Sequence, residues 1–292
     1  MLTRRSLCFA ATLVPTAGFA QSGTDARFIA WLGTLKAEAI RAGVDTGTAE
    51  QALSSVQLLP EVIELARNQP EFKMSWADYE NLVVSAERVK NGRALLAQNR
   101  ALIDRFALPV GLPSAMAVSL WGIESNYGQR QGDFEVVPAL ATLAFNNFRA
   151  TFFRQQLIAA LKIVSQGHIG LHQMKGSWAG AMGQCQFIPT SFLAYAVDGD
   201  GDGRADIWGN KTDVFASICS YLRAAGWRAG ETWGREVAPA GQAPPAGGRI
   251  VRPAGPAGPA YATTRNFGAI LRWNQSDFFA LAVGLLSDRI AA

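Results

Sequence analysis

Histidine occurs only twice and cysteine three times in this chain of 292 residues. His168 and His172 stand four apart, a zinc-compatible spacing, but no third ligand accompanies them, and surface or groove-wall positions are the reading. Charge is sparse as well. Only 17% of residues are charged, the net charge is +4, and no dense basic cluster of the kind that binds nucleic acid is present. Beyond the leader described below, no apolar run is long enough to span a bilayer. Strand-period alternation is nearly missing, so the fold should be mainly α. Proline, alanine and glycine crowd Val237 to Ala260 without the strict glycine period of collagen, which leaves a loop or a small irregular β element.

What is there is a chain with 49% hydrophobic residues, long enough to bury a substantial core. Residues 1–20 read as a secretory signal peptide: Arg4 and Arg5 supply the positive end, Leu7 to Val14 the apolar run, and Gly18-Phe-Ala20 the cleavage site. The arginine pair is also compatible with twin-arginine export. Cys8 lies near the start of the apolar run, which argues against a lipoprotein anchor. Cys185 and Cys219 remain after export. An oxidising compartment permits a disulfide between them, and two small buried thiols are equally compatible.

Helical spacing dominates the rest. Phe28, Trp31, Leu32 and Leu35 mark one helix face, and Thr48 with Gln51 reads as a capping box. Further helices are expected over Ser114–Tyr127 (stopped at Gly128), Ala150–Gln166, Val214–Ala225 and Ser276–Ile290, the last apolar nearly all round.

Chemistry concentrates in a few places. Glu124 sits in Trp121-Gly-Ile-Glu-Ser-Asn-Tyr-Gly128, in the last turn of its helix among Trp121, Ile123 and Tyr127. The helix dipole favours cations at that end, and apolar neighbours disfavour a carboxylate's charged form. A carboxyl kept protonated near neutrality suits general-acid cleavage of a glycosidic bond, although most helix-end glutamates are simply solvated. Lys175 to Ser191 is rich in glycine, which lets backbone approach a ligand closely. Its Ser177, Gln184 and Gln186 can hydrogen-bond sugar hydroxyls and acetamido groups, and Phe187 offers an aromatic face for a sugar. Asp198-Gly-Asp-Gly-Asp-Gly-Arg204-Ala-Asp206 looks like the first part of an EF-hand loop. Asp198, Asp200 and Asp202 stand at ligand positions, with Arg204 where a backbone carbonyl binds; Gly209 stands where the bidentate glutamate belongs. A structural calcium site and a metal-free Asp/Gly turn both remain open.

Taken together, Glu124-Ser-Asn-Tyr-Gly128 followed by Gly180-Ala-Met-Gly-Gln-Cys-Gln-Phe-Ile-Pro189 resembles the lytic murein transglycosylase B family. The resemblance extends to Gln69-Pro-Glu-Phe72, Arg88-Val-Lys-Asn-Gly-Arg93, Ala141-Thr-Leu-Ala-Phe145, Thr264-Arg-Asn-Phe267 and Arg272-Trp-Asn274. It implies a lysozyme-like catalytic core with accessory N-terminal helices and a small irregular β region. The corresponding divisions are 1–20 signal peptide, 21–111 N-terminal helical region, 112–230 catalytic core, 231–262 loop or small β region, and 263–292 completing the core.

The resemblance also implies the chemistry. A single acid/base, matched by Glu124, cleaves peptidoglycan glycan strands between N-acetylmuramate and N-acetylglucosamine and leaves 1,6-anhydro ends. No cofactor is required. Ser177, Gln186 and Phe187 match groove residues, Tyr127 beside Glu124 is a further candidate substrate contact, Asn274 matches an asparagine at the muramoyl residue, and Arg149 matches one arginine of a peptide-contacting pair whose second member is Ala150 here. Trp273 stands where relatives commonly carry tyrosine, so any hydrogen bond from that hydroxyl is in question. Asp213 is the expected substitute calcium ligand. A periplasmic monomer acting on glycan strands is the expectation. The rival readings are a muramidase using water with Asp133 or Glu135 as second carboxylate, and a non-catalytic glycan-binding protein or calcium-dependent adhesion module.

Overall fold

The computed structural model describes residues 22–68, 74–238 and 243–292. The leader, the Gln69-Pro-Glu-Phe72 stretch and the Pro-Ala-Gly repeat beginning at Pro239 lie outside the described residues.

Short polar residues ahead of apolar-periodic segments cap six of the helices among the described residues. α1 (Ser22–Arg41), α2 (Thr46–Ser54) and α3 (Pro60–Arg67) come first. Asp45, not Thr48, caps α2: its carboxylate accepts the Thr48 backbone N–H at 2.9 Å. The helix therefore begins before the expected capping box. Asp45→Ala should cost about 1 kcal/mol, read as a melting temperature lower by about 2–4 °C. Ser75 and Ser85 cap α4 (Trp76–Val83) and α5 (Ala86–Ala107) in the same way. α6 (Ser114–Ser125), α7 (Val136–Phe145), α8 (Ala150–Ser165) and α9 (Pro189–Tyr195) follow. α10 (Lys211–Ala224), α11 (Arg265–Trp273) and α12 (Asp277–Ala291) complete a mainly α fold. Ser276 caps α12, and its apolar faces are buried as their composition requires.

The described residues divide into two compact units. One draws on the described residues within 74–130 and 195–292, the other on those within 22–68 and 131–194. In the first, α6 packs between α5 and α12, with α10 against α5 and α11 against α12. The same unit carries an antiparallel three-stranded sheet in which β5 (Ala260–Thr263) lies between β3 (Gly234–Val237) and β4 (Ile250–Val251). In the second unit α7 packs on α8, with α2 and α3 beside them. Its two short strands, β1 (Phe134–Glu135) and β2 (Lys175–Gly176), pair Phe134 with Gly176 and Glu135 with Lys175. Among the described residues no single helix is long and apolar enough to cross a membrane.

Candidate functional site

α6 is built from Ala, Met, Val, Leu, Trp and Ile with small Ser and Gly between them, so it has no polar face to turn outward. Every one of its 12 residues is buried except Glu124. That carboxylate is half-buried, and its Oε1 accepts the indole N–H of Trp273 at 2.6 Å. The expected left-handed stop at Gly128 falls earlier, on Asn126 (φ 49°), whose backbone N–H closes onto Gly122. Asn tolerates that conformation better than other side-chain-bearing residues. Tyr127 (φ 60°) follows in the same region, and such strained positions gather where a side chain must be held in place. Ser125 Oγ fixes the turn by donating to the Trp121 carbonyl and accepting the Gly128 N–H.

Tyr127, expected at the glycan surface, is instead a support. It is 7% exposed, its hydroxyl donates to the Arg88 carbonyl at 2.6 Å, and its ring fills space left by Gly122 and Gly92. Two residues not singled out in the sequence stand beside this group. Burial, and then the negative charge of Glu124, push the Tyr79 phenol well above its ordinary pKa, so Tyr79 lies within electrostatic reach of the carboxylate. Arg88 donates to the carbonyls of Leu82 and Val83, and burial lowers its pKa.

Trp273 closes α11 and is 2% exposed, so its ring is packed in the interior. The lost tyrosine hydroxyl does not leave Glu124 without a donor, because the indole N–H supplies one. Tyr221 packs on Trp273 with ring centroids 4.6 Å apart and donates its hydroxyl to the Arg272 carbonyl at 2.6 Å. Tyr195 packs edge-on against Tyr221 at 4.6 Å. Asn274 terminates α11 in extended backbone and is largely buried.

In the other unit the glycine-rich segment forms tight antiparallel turns. The Ser177 backbone N–H donates to the Ala181 carbonyl at 2.8 Å, and Ser177 Oγ accepts the Ala181 N–H at 3.0 Å. A Cβ at Gly176 would stand 2.3 Å from the Ala181 carbonyl oxygen, which is why glycine is required there. Gln186 sits at φ 49° and gives both amide protons to the carbonyls of Gln131 and Gly183, at 3.0 and 2.8 Å. These two bonds fix the orientation of its side-chain amide. Phe187 is 0% exposed, so the sugar-stacking face expected of it does not exist; its ring is core. Arg149 lies at the N-terminus of α8, exposed, with its guanidinium 4.3 Å from the Phe152 ring centre. Glu135 contacts Lys175 at 3.5 Å and His172 at 3.4 Å. Asp133 is exposed.

The acidic loop brings carboxylate oxygens of Asp198, Asp200 and Asp202 within 4.8 Å of one another. Asp198 accepts the backbone N–H groups of Gly201, Asp202 and Gly203, which hold its pKa low. Asp213 is 0% exposed and accepts the N–H groups of Gly199 and Asp206 at 2.8 and 2.7 Å, tying the loop to the start of α10. Burial raises its pKa against those two donors.

The family model described as the transglycosylase SLT domain matches residues 27–246 and 239–288. The chain belongs to this family. It is 29% identical over 288 residues to the membrane-bound lytic murein transglycosylase B of Escherichia coli (strain K12), covering 85% of this chain and 79% of that protein. It resembles SltB3 from Pseudomonas aeruginosa, solved with NAG-anhNAM-pentapeptide, at 38% identity and a TM-score of 0.86, over 91% of this chain and 80% of that one. The Escherichia coli lytic transglycosylase Slt35, solved with calcium, is 27% identical with a TM-score of 0.76, over 92% and 93% of the two chains.

Within this transglycosylase SLT chain, Glu124, Trp273 and Asn274 fall in one unit, and Ser177, Gln186 and Arg149 in the other. Cys185 and Cys219 are each buried thiols, so no disulfide joins them; burial pushes the Cys219 thiol up to about 12.

Proposed function

We propose that this chain is a lytic transglycosylase of peptidoglycan in which Glu124 is the single acid and then base. The observation that carries this reading is the lone unburied position on an otherwise buried helix, occupied by a carboxyl that a neighbouring indole holds in one orientation. Glu124 protonates the oxygen linking N-acetylmuramate to N-acetylglucosamine. The substrate's own acetamido group stabilises the cationic carbon, so no second protein carboxylate is needed. Glu124 then removes the proton from the C6 hydroxyl as that oxygen closes onto C1. Glu135, the nearest rival carboxylate in sequence after Asp133, is engaged with Lys175 and His172. SltB3 was solved with an anhydro-muramoyl ligand, which supports a product of this kind.

Gln186 presents its side-chain carbonyl, and Ser177 retains its own proton, for N-acetylated sugars; Asn274 meets the muramoyl residue. Arg149 meets carboxylates of the stem peptide. The leader directs the chain to the periplasm, where it works as a monomer on glycan strands. Mass spectrometry of products from purified sacculi tests the reading. Muropeptides lighter by one water are expected, whereas reducing muramate ends would mean hydrolysis.

Calcium is a structural addition in this scheme. Asp198, Asp200 and Asp202 would hold it with the Arg204 carbonyl, their oxygens being clustered closely enough to share one ion. With Gly209 in place of the bidentate glutamate, affinity should be weak, about 10⁻⁴–10⁻³ M. Millimolar calcium should raise the melting temperature, and a chelator should leave cleavage by the folded enzyme intact. Loss of cleavage on chelation at unchanged fold would contradict a purely structural ion.

A further inference from the structure

The segment from Arg223 to Arg272 holds seven arginines, no lysine and two acids, Glu231 and Glu236. The whole chain has a net charge of +4, so its positive excess resides in this segment. Within it α11 is sharply two-sided. Asn266, Phe267, Ala269, Ile270 and Trp273 are buried, whereas Arg265 and Arg272 are exposed. A step of seven residues returns a helix to the same face, here about 10 Å further along its axis. Among the described residues neither of these two guanidinium groups enters an ion pair. Glu231 is engaged with the Arg265 backbone N–H at 3.0 Å, and Asp277 is paired with Arg249.

We propose that this face of α11 binds the peptide stem carried by the muramoyl residue, Arg272 and Arg265 each taking a carboxylate. Arg272 immediately precedes Trp273, whose indole holds Glu124, and stands two residues before Asn274, assigned above to the muramoyl residue. A stem leaving that sugar therefore begins at the Arg272 end of the face. About three extended peptide residues then reach Arg265. The sign of the charge points to the peptide and not to the sugars. Once the lactyl carboxyl of muramate is amide-linked to a stem, the disaccharide backbone is neutral, and the negative charge of the polymer lies in its peptides. A guanidinium fork grips a carboxylate through two parallel N–H bonds, which a lysine cannot do.

Both ends of the face are anchored. At its start Asn266 Oδ1 accepts the Arg228 N–H at 2.7 Å, and its Nδ2 donates to the Arg228 carbonyl at 2.9 Å. At its end the Tyr221 hydroxyl donates to the Arg272 carbonyl at 2.6 Å. The two arginines thus keep their separation, and a ligand does not have to order the helix that carries them.

The inference rests on the transglycosylase reading and adds to Arg149, which lies in the other unit. Its test compares two substrates: glycan strands carrying peptide stems, and the same strands stripped of stems by an amidase. Turnover is read as anhydro-ended product, with melting temperature as the fold check. On stem-bearing strands Arg265→Gln and Arg272→Gln should each raise KM about threefold, and the double change about tenfold, because exposed charge pairs are individually weak. In every variant kcat should stay within about twofold of the parent. On stripped strands the double variant should match the parent. Added salt should raise the parent's KM on stem-bearing strands and leave its KM on stripped strands unchanged. A double variant that handles stem-bearing strands like the parent, or an equal rise in KM on both substrates, would overturn the proposal. If the parent releases no anhydro ends from either substrate, the transglycosylase reading itself fails. Anhydro ends released with a KM indifferent to the stems would remove only the role given to α11.

Discussion

Glu124→Gln should reduce strand cleavage by at least about 10³-fold, because one group serves both proton transfers and each is worth roughly 10²–10⁴. The same change should leave the fold intact. A glutamine keeps the carbonyl oxygen that accepts the Trp273 N–H, and the position is the one on α6 that does not need to be buried. Melting temperature and retention on insoluble sacculi should therefore stay near the parent values while anhydro-muropeptide release falls to background. That combination separates loss of chemistry from loss of structure. Full cleavage by a folded Glu124→Gln protein would show that another group supplies the proton.

The partly enclosed setting of Glu124 was legible in the sequence because its neighbours are. Trp121, Ile123 and Tyr127 declare a buried helix, and a carboxylate within such a run has few structural reasons to be there. What the sequence could not show was the partner of that carboxylate. Trp273 is 149 residues away, and only the packing of α11 and α12 beside α6 brings the two helices' ends into one place. Tyr79 belonged to an ordinary amphipathic segment, and nothing local distinguishes a buried tyrosine that feels a carboxylate's charge from one that does not. Arg88 stood in a recognisable motif, yet its role there is to bind backbone carbonyls, a use that no spacing announces.

The misplaced expectations share a cause. Phe187 lies among glycines and polar residues, so composition suggested an accessible ring, but glycine also makes room for a ring to be buried. Gly122 and Gly92 do this for Tyr127. Cys185 and Cys219 showed the same limit, since an even count permits a bond and only coordinates forbid it. The mainly α architecture was easier to read because periodicity is a property of each segment alone, whereas side-chain environment is a property of the assembled fold.

Two glycine-to-alanine changes, chemically identical, should therefore act in opposite directions. At Gly122 an added Cβ would meet the Tyr127 ring at 2.6 Å and its hydroxyl oxygen at 2.9 Å. The ring has nowhere to go: its hydroxyl is bound to the Arg88 carbonyl, and a Cβ at Gly92 on another side would already stand 2.7 Å from that oxygen. Alanine's better helix propensity, worth about 0.8–1 kcal/mol, is outweighed by overpacking of about 1–3 kcal/mol in a site that cannot relax. Because Glu124 is two residues further along the same turn, displacement of Tyr127 should also cost about 10–100-fold in kcat. At Gly268, in α11, nothing lies within 4 Å of the added Cβ and the residue is exposed. Gly268→Ala should stabilise by about 0.4–1 kcal/mol through the unfolded chain and leave kcat unchanged. Thermal unfolding and turnover measured on both variants decide the matter: a Gly122→Ala protein as stable and as active as the parent would mean that Tyr127 does not hold the end of α6.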